Sequence, residues 1–154
     1  MIIGIDPGSS GAIVVMSESL NYVNHLHMPT VKVGTKSRVN GAAVAAFLRG
    51  AIGEFAVHAY LEQVGAMPGQ GVSSMFTFGH AAGVVEGLLQ GLGIPYSLVT
   101  PQVWKKRAGL IGADKDAARS RAIQLYPGVR DLDLKAKGQA LADAMLIARY
   151  GASS

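Results

Sequence analysis

A mixed α/β sheet flanked by helices is the fold class this sequence predicts, on three observations. The chain opens with two apolar runs joined by a Gly-rich turn, the pattern of an antiparallel hairpin. A third strand-like run follows, and strand and helix patterns then alternate to the C-terminus. With 154 residues and 49% hydrophobic content, the chain has the size of one domain, 1–154, and enough apolar surface for a full core.

The elements follow in order. Residues 1–5 and 12–16 are the hairpin strands, with one carboxylate, Asp6, at the tip of the first and the turn PGSSG between them. Residues 21–28 supply a third strand. The polar, basic stretch 30–40 (TVKVGTKSRVN) reads as a loop. Apolar positions at helical spacing predict a helix over 42–52. Residues 57–64 (VHAYLEQV) form a strand carrying Glu62, and 66–71 (AMPGQG) a loop. Ser73 is read as the cap of a helix running to about Leu92, before a short strand at 94–99. Pro101 opens a short helix at its favoured first position. Asp114 opens another, to about Tyr126, and a last helix covers about 138–150. No repeat, linker or low-complexity segment interrupts this order.

Composition narrows the class. Cys is absent, which excludes disulfides and Cys-based zinc sites and suits a cytoplasmic protein. No run approaches the length of a membrane span and the N-terminus has no basic signal-peptide region, so no membrane partner is expected. A net charge of +4 and a pI near 9.5 fit a polyanionic partner.

The acidic residues are the sharpest signal, because there are only ten. Glu18, Glu54, Asp114, Asp116, Asp131 and Asp133 sit in polar contexts that suit solvated or helix-capping roles, and Glu86 is mid-helix. Asp6, Glu62 and Asp143 stand in apolar surroundings. Alone, Asp6 could merely cap its turn, and Asp143 could be a packing compromise or the partner of a nearby base. Two acids at strand ends and one on a terminal helix are more economically read as one converging carboxylate cluster. Crowded carboxylates repel one another and protonate unless divalent cations hold them. An oxygen-only donor set favours Mg²⁺ or Mn²⁺ over zinc. His25, His27, His58 and His80 show no zinc spacing on one helix face. His25 and His27 share a strand face and read as structural.

These residues resemble a known family. MIIGIDPGSSGAI, then YLEQV, then ALADAMLIA are similar, in order and spacing, to the RuvC family of Holliday-junction resolvases. EQVGAMPGQGVSSMFTFGHAAG and PQVWKKRAGLIGADKDAARSRAIQLYP look like its short phage-type members. The resemblance covers nearly the whole chain and implies a ribonuclease-H-like fold. It also implies four carboxylates on two Mg²⁺ (or Mn²⁺) ions per active site, hydrolysing a phosphodiester to a 5′ phosphate and a 3′ hydroxyl. By position the ligands are Asp6, which would bridge both ions, Glu62 and Asp143. The fourth belongs three residues before Asp143, on the same helix face, where this chain has Ala140. The flanking residues fit the family pattern. The departure reads as an aspartate replaced by alanine, leaving the chain cleavage-impaired; drift or use of another acid is the alternative. Lys115 aligns with a family lysine near the scissile phosphate and joins the catalytic set.

Basic residues must hold the DNA backbone. The candidates are Lys32, Lys36 and Arg38 in the basic stretch, Lys105, Lys106 and Arg107 after Trp104, and Arg119 on the next helix. Met67, Gln70 and Ser73 are candidate contacts in and after the loop that follows Glu62. Some bacterial members carry a junction-probing aromatic three residues after the strand Glu; Gly65 stands there, and Met67 is the substitute. Trp104 stacks on a base or serves the core. Phe76 and Phe78, two apart on one helix, do not share a face. A nearly two-fold four-way junction implies a homodimer, with the 73–92 helix as candidate interface. The function expected is structure-selective cleavage of branched DNA. The alternatives are a non-catalytic branched-DNA-binding module and a YqgF-like RNA nuclease; actin-like phosphotransferases share the D-x-G-x-x-G turn but need two domains.

Overall fold

The computed structural model describes residues 1–152. β1 (Ile2–Asp6), β2 (Ala12–Met16) and β3 (Tyr22–His27) form an antiparallel meander. β4 (Thr30–Val33) and β5 (Lys36–Val39) make a separate two-stranded hairpin, and α1 (Gly41–Ile52) follows. β6 (His58–Glu62) lies parallel to β1 on its free side. After α2 (Val72–Gly91), β7 (Tyr96–Val99) adds in parallel to β6. The main sheet is therefore five-stranded and mixed, in the order β3-β2-β1-β6-β7. Three more helices follow among the described residues: α3 (Pro101–Arg107), α4 (Ala117–Leu125) and α5 (Ala136–Tyr150), with a 3-10 turn at Arg130–Asp133 before the last.

The central strands are rich in Ile and Val, and β2 is buried along its whole length because helices cover both faces of the sheet. On one face Ile3, Ile5, Ile13 and Val15 pack with Val44 and Leu48 of α1 and Val85 and Leu89 of α2. On the other, Ala12, Val14 and Met16 meet Leu141, Ala144 and Met145 of α5 and Ala122 of α4. Trp104, Val99, Leu146 and Ile147 close the end of this second layer. Gly4 lets α5 lie directly on β1: a methyl there would collide with Ala144 O and come within 2.6 Å of Ala148 N.

The predicted fold class and the three-stranded start are found. Four details differ. The stretch 30–40 is the β4–β5 hairpin, turning at Gly34 in the left-handed region (φ 64°). It lacks a one-sided apolar pattern because β4 is exposed on both faces. Ser73 lies inside α2; Gly71 is the cap, with no side-chain bond. α4 starts at Ala117, not at Asp114, whose carboxylate instead accepts from Asp116 N at 3.1 Å. α5 begins two residues earlier than expected, at Ala136. Pro101 does open α3, and Thr100 caps it by accepting from Val103 N. Among the described residues no helix is long and apolar enough to cross a membrane.

Candidate active site

Register places the first two acids side by side. Ile5 pairs with Leu61 across parallel strands, so Asp6 and Glu62 end β1 and β6 at the same level. Residues of β1 alternate between faces, and Gly4 faces α5. Asp6 therefore faces α5 too, where Asp143 sits one turn beyond Ala140. All three acids are partly buried.

Their electrostatics report mutual proximity. Burial first, then the charges of Glu62 and Asp143, push Asp6 up to about 7, against one backbone hydrogen bond from Gly8. That bond, Gly8 N to Asp6 Oδ1, is long at 3.4 Å, so turn capping alone does not account for this aspartate. Burial and then Glu62 push Asp143 up to about 6, opposed by Gln139 and Lys105. Burial also raises Glu62, opposed by the Trp104 hydrogen bond and the charge of Lys105. Burial is thus the first cause at each acid, and the neighbouring carboxylates add to it at Asp6 and Asp143.

Neighbours fix the acids in place. Trp104 Nε1 donates to Glu62 Oε1 at 2.9 Å. Gln139 Nε2 donates to Asp143 Oδ1 at 3.1 Å, one turn back along α5. Each bond occupies one carboxylate oxygen and leaves the other without a partner among the described residues. Ala140 is 7% exposed and packs in the apolar layer with Ala12 and Leu132.

Two clefts flank the acids. Asp143, Gln139, Lys105 and Lys115 line one of about 390 Å³. Ser9, Gln70, Ser73 and Thr77 line another of about 380 Å³ beside the Gly-rich turn. Ser9 also borders the pocket formed with Lys36, Arg38 and Phe76, and Lys36 Nζ reaches Ser73 Oγ at 3.4 Å. The structure thus gathers Lys36, Arg38, Gln70 and Ser73 around Ser9, next to Asp6. Lys32, Met67 and Lys106 are exposed.

Three residues expected on DNA have partners within the chain. Trp104 is fully buried; its ring serves the core and its N–H serves Glu62. Arg107 Nη1 donates to the carbonyls of Tyr150, Gly151 and Ala152, at 2.9, 3.2 and 2.7 Å, closing the end of α5. Arg119 pairs with Asp116 at 2.8 Å and donates to Leu132 O at 3.2 Å. Asp131, read as solvated or capping, bonds to His25 and His27. Phe76 is exposed, whereas Phe78 packs under Gly8.

The residues that the sequence reading passed over are Gln139 and Ser9. The i, i+4 spacing of Gln139 and Asp143 was an available signal for the first. Ser9 carried none beyond lying in the turn after Asp6.

No protein-family model matches the chain. A chloroplastic Holliday junction resolvase of Chlamydomonas reinhardtii is 35% identical over 115 residues, which are 73% of this chain and 13% of that protein. This chain thus spans only a small part of that relative's length. Among solved structures, Thermus thermophilus RuvC in complex with a Holliday junction substrate superposes with a TM-score of 0.64 at 22% identity, covering 96% of this chain and 89% of that one. A further Thermus thermophilus RuvC structure gives 0.54 at 19% identity, covering 96% and 90%. The fold is that of RuvC, ribonuclease-H-like, and the resemblance read from the motifs is met in both sequence and structure.

Proposed function

We propose that this chain is a RuvC-type endonuclease domain that recognises four-way and related branched DNA and cuts it by divalent-metal-assisted phosphodiester hydrolysis. The observation that carries the reading is the convergence of Asp6, Glu62 and Asp143 at the ends of β1 and β6 and on α5, with Asp6 pushed up to about 7. The similarity to a Holliday junction resolvase and to junction-bound RuvC supports the substrate class.

The donor set fits Mg²⁺ or Mn²⁺: three crowded carboxylates, no sulfur and no imidazole. Asp6, Glu62 and Asp143 would hold the ions, two per site. A bound pair would supply an activated water and stabilise the leaving 3′ oxygen. The protein's own part is preorganisation. Trp104 and Gln139 each hold one carboxylate oxygen. Lys105 lies close enough to lower both Glu62 and Asp143, and Lys115 borders the same cleft, where a phosphate can be met by positive charge.

Ala140 favours a second reading for this polypeptide: a form that binds junctions and cuts them poorly because one ligand position is empty of carboxylate. Cleavage by the chain and by Ala140→Asp, with Mg²⁺, on a junction, a linear duplex and a structured RNA tests both readings. The Asp form should cut the junction far faster, with junction affinity in metal-free buffer little changed. Equal inactivity on junctions of varied sequence would overturn the site; preference for RNA would favour the YqgF-like alternative.

The exposed side of α2, with Phe76, Gly79, Gly83 and Gly87, has room for a close helix neighbour at Gly79, Gly83 and Gly87. It is the candidate surface of a homodimer that would present two sites to a two-fold junction. A monomeric mass at micromolar concentration, with and without junction DNA, would remove this part. A cytoplasmic setting, in a bacterium or a phage-infected cell, completes the reading.

A further inference from the structure

A second group of ligand-type side chains meets at the edge of the sheet. His25 and His27 stand two apart on β3, opposite Val14 and Ala12 of β2, so both face the α5 side. Asp131 reaches them from the 3-10 turn. Its Oδ2 lies 2.9 Å from His25 Nε2 and 3.0 Å from His27 Nε2. One atom of each residue lies within 4.8 Å of the other two.

In one tautomer each ring donates an N–H to the carboxylate, and hydrogen bonding suffices. The geometry around the rings is compatible with a cation as well. Tyr22 Oη, 2.7 Å from His25 Nδ1, is a hydroxyl able to accept as well as donate, so His25 can turn an Nε2 lone pair inward. His27 Nδ1 is buried with no partner among the described residues, so Nε2 is this ring's one polar connection whether the carboxylate or an ion meets it. The group is half-open: the side chains of His25, His27 and Asp131 are 15%, 23% and 43% exposed, enough for an ion to enter and for water to fill a further position. Around a tetrahedral ion with bonds of about 2.0 Å, ligand atoms sit roughly 3.3 Å apart, so small side-chain rotations suffice.

We propose that His25, His27 and Asp131 form a site for a zinc-type transition-metal ion, separate from the carboxylate centre. Two neutral imidazoles and one carboxylate select such an ion over Mg²⁺. Bound there, the ion fastens edge strand β3 to the 3-10 turn. The next residue, Leu132, is fully buried in the layer that holds Ala140, so the ion also steadies the chain entering α5.

The test is titration of the chain with Co²⁺ and then Zn²⁺, in excess Mg²⁺ to occupy the carboxylate centre. One equivalent should bind, with the visible absorption of four-coordinate Co²⁺, displacement by Zn²⁺ and a raised thermal midpoint. His27→Ala and Asp131→Asn should each weaken binding by about 100-fold or more, whereas Asp143→Asn should leave it unchanged. Asp131→Asn keeps the shape of the side chain and decides the matter where His27→Ala fails to fold. A six-coordinate Co²⁺ spectrum, full affinity in Asp131→Asn, or loss only in Asp143→Asn would overturn the proposal. None of these outcomes bears on junction cleavage, so the two readings fail separately.

Discussion

The indole N–H of Trp104 donates to Glu62 Oε1 at 2.9 Å from a fully buried ring. A strand-end acid is thereby oriented by a helix that begins 39 residues further along the chain, at Pro101.

Removing that bond should affect cleavage more than binding. In the Ala140→Asp background, Trp104→Phe should lower the cleavage rate by roughly 10- to 100-fold, the usual effect of losing a group that orients a metal ligand. Junction affinity without metal should stay within a few-fold. Parallel rate and gel-shift measurements check this; an unchanged rate would make the indole purely a core residue.

Metal-free stability should fall as pH rises from about 4 to about 7. Asp6 and Asp143 are pushed up to about 7 and about 6, from 3.8. Both carboxyls therefore hold protons in the native state at pH values where the unfolded chain has lost them. Their contribution is fully present below about pH 4 and lost as pH passes through the native values. Urea midpoints in chelator should decline across this window, and Asp6→Asn should flatten the decline.

Ala140→Asp should cost stability before it restores activity. The position is 7% exposed among apolar side chains, and a carboxylate added there joins an already repelling group. Destabilisation of about 1–3 kcal/mol in chelator is expected, largely regained with millimolar Mg²⁺. Thermal melts with and without Mg²⁺ check it.

Basic residues of α3 should separate by role. Neutralising Lys105 and Lys106 should weaken junction binding across sequences and flatten its salt dependence. Arg107→Ala should leave the salt slope alone and lower the thermal midpoint, because its guanidinium closes the end of α5. An altered slope in Arg107→Ala would return this residue to the DNA surface.

Much of the candidate site was legible because its members sit at pattern breaks. Asp6 ends an Ile-rich run, Glu62 interrupts VHAYLEQV, and Asp143 stands among Ala, Leu and Met. Each contradicts its surroundings, and such local conflicts mark functional positions. The hairpin β4–β5 was hidden for the opposite reason: a strand exposed on both faces has no alternation to read. Side-chain partnerships were hidden by chain distance. Trp104 finds Glu62 across 42 positions and His25 finds Asp131 across 106, and no spacing rule reaches so far.

Gly4 has a further consequence for the carboxylates. Because α5 rests on the bare backbone of β1, main chain meets main chain between the elements that carry Asp6 and Asp143. A side chain at position 4 would act as a wedge there, lifting the helix off the strand. The alignment of the acids therefore hangs on one missing methyl group, at the closest approach of the two elements that carry them.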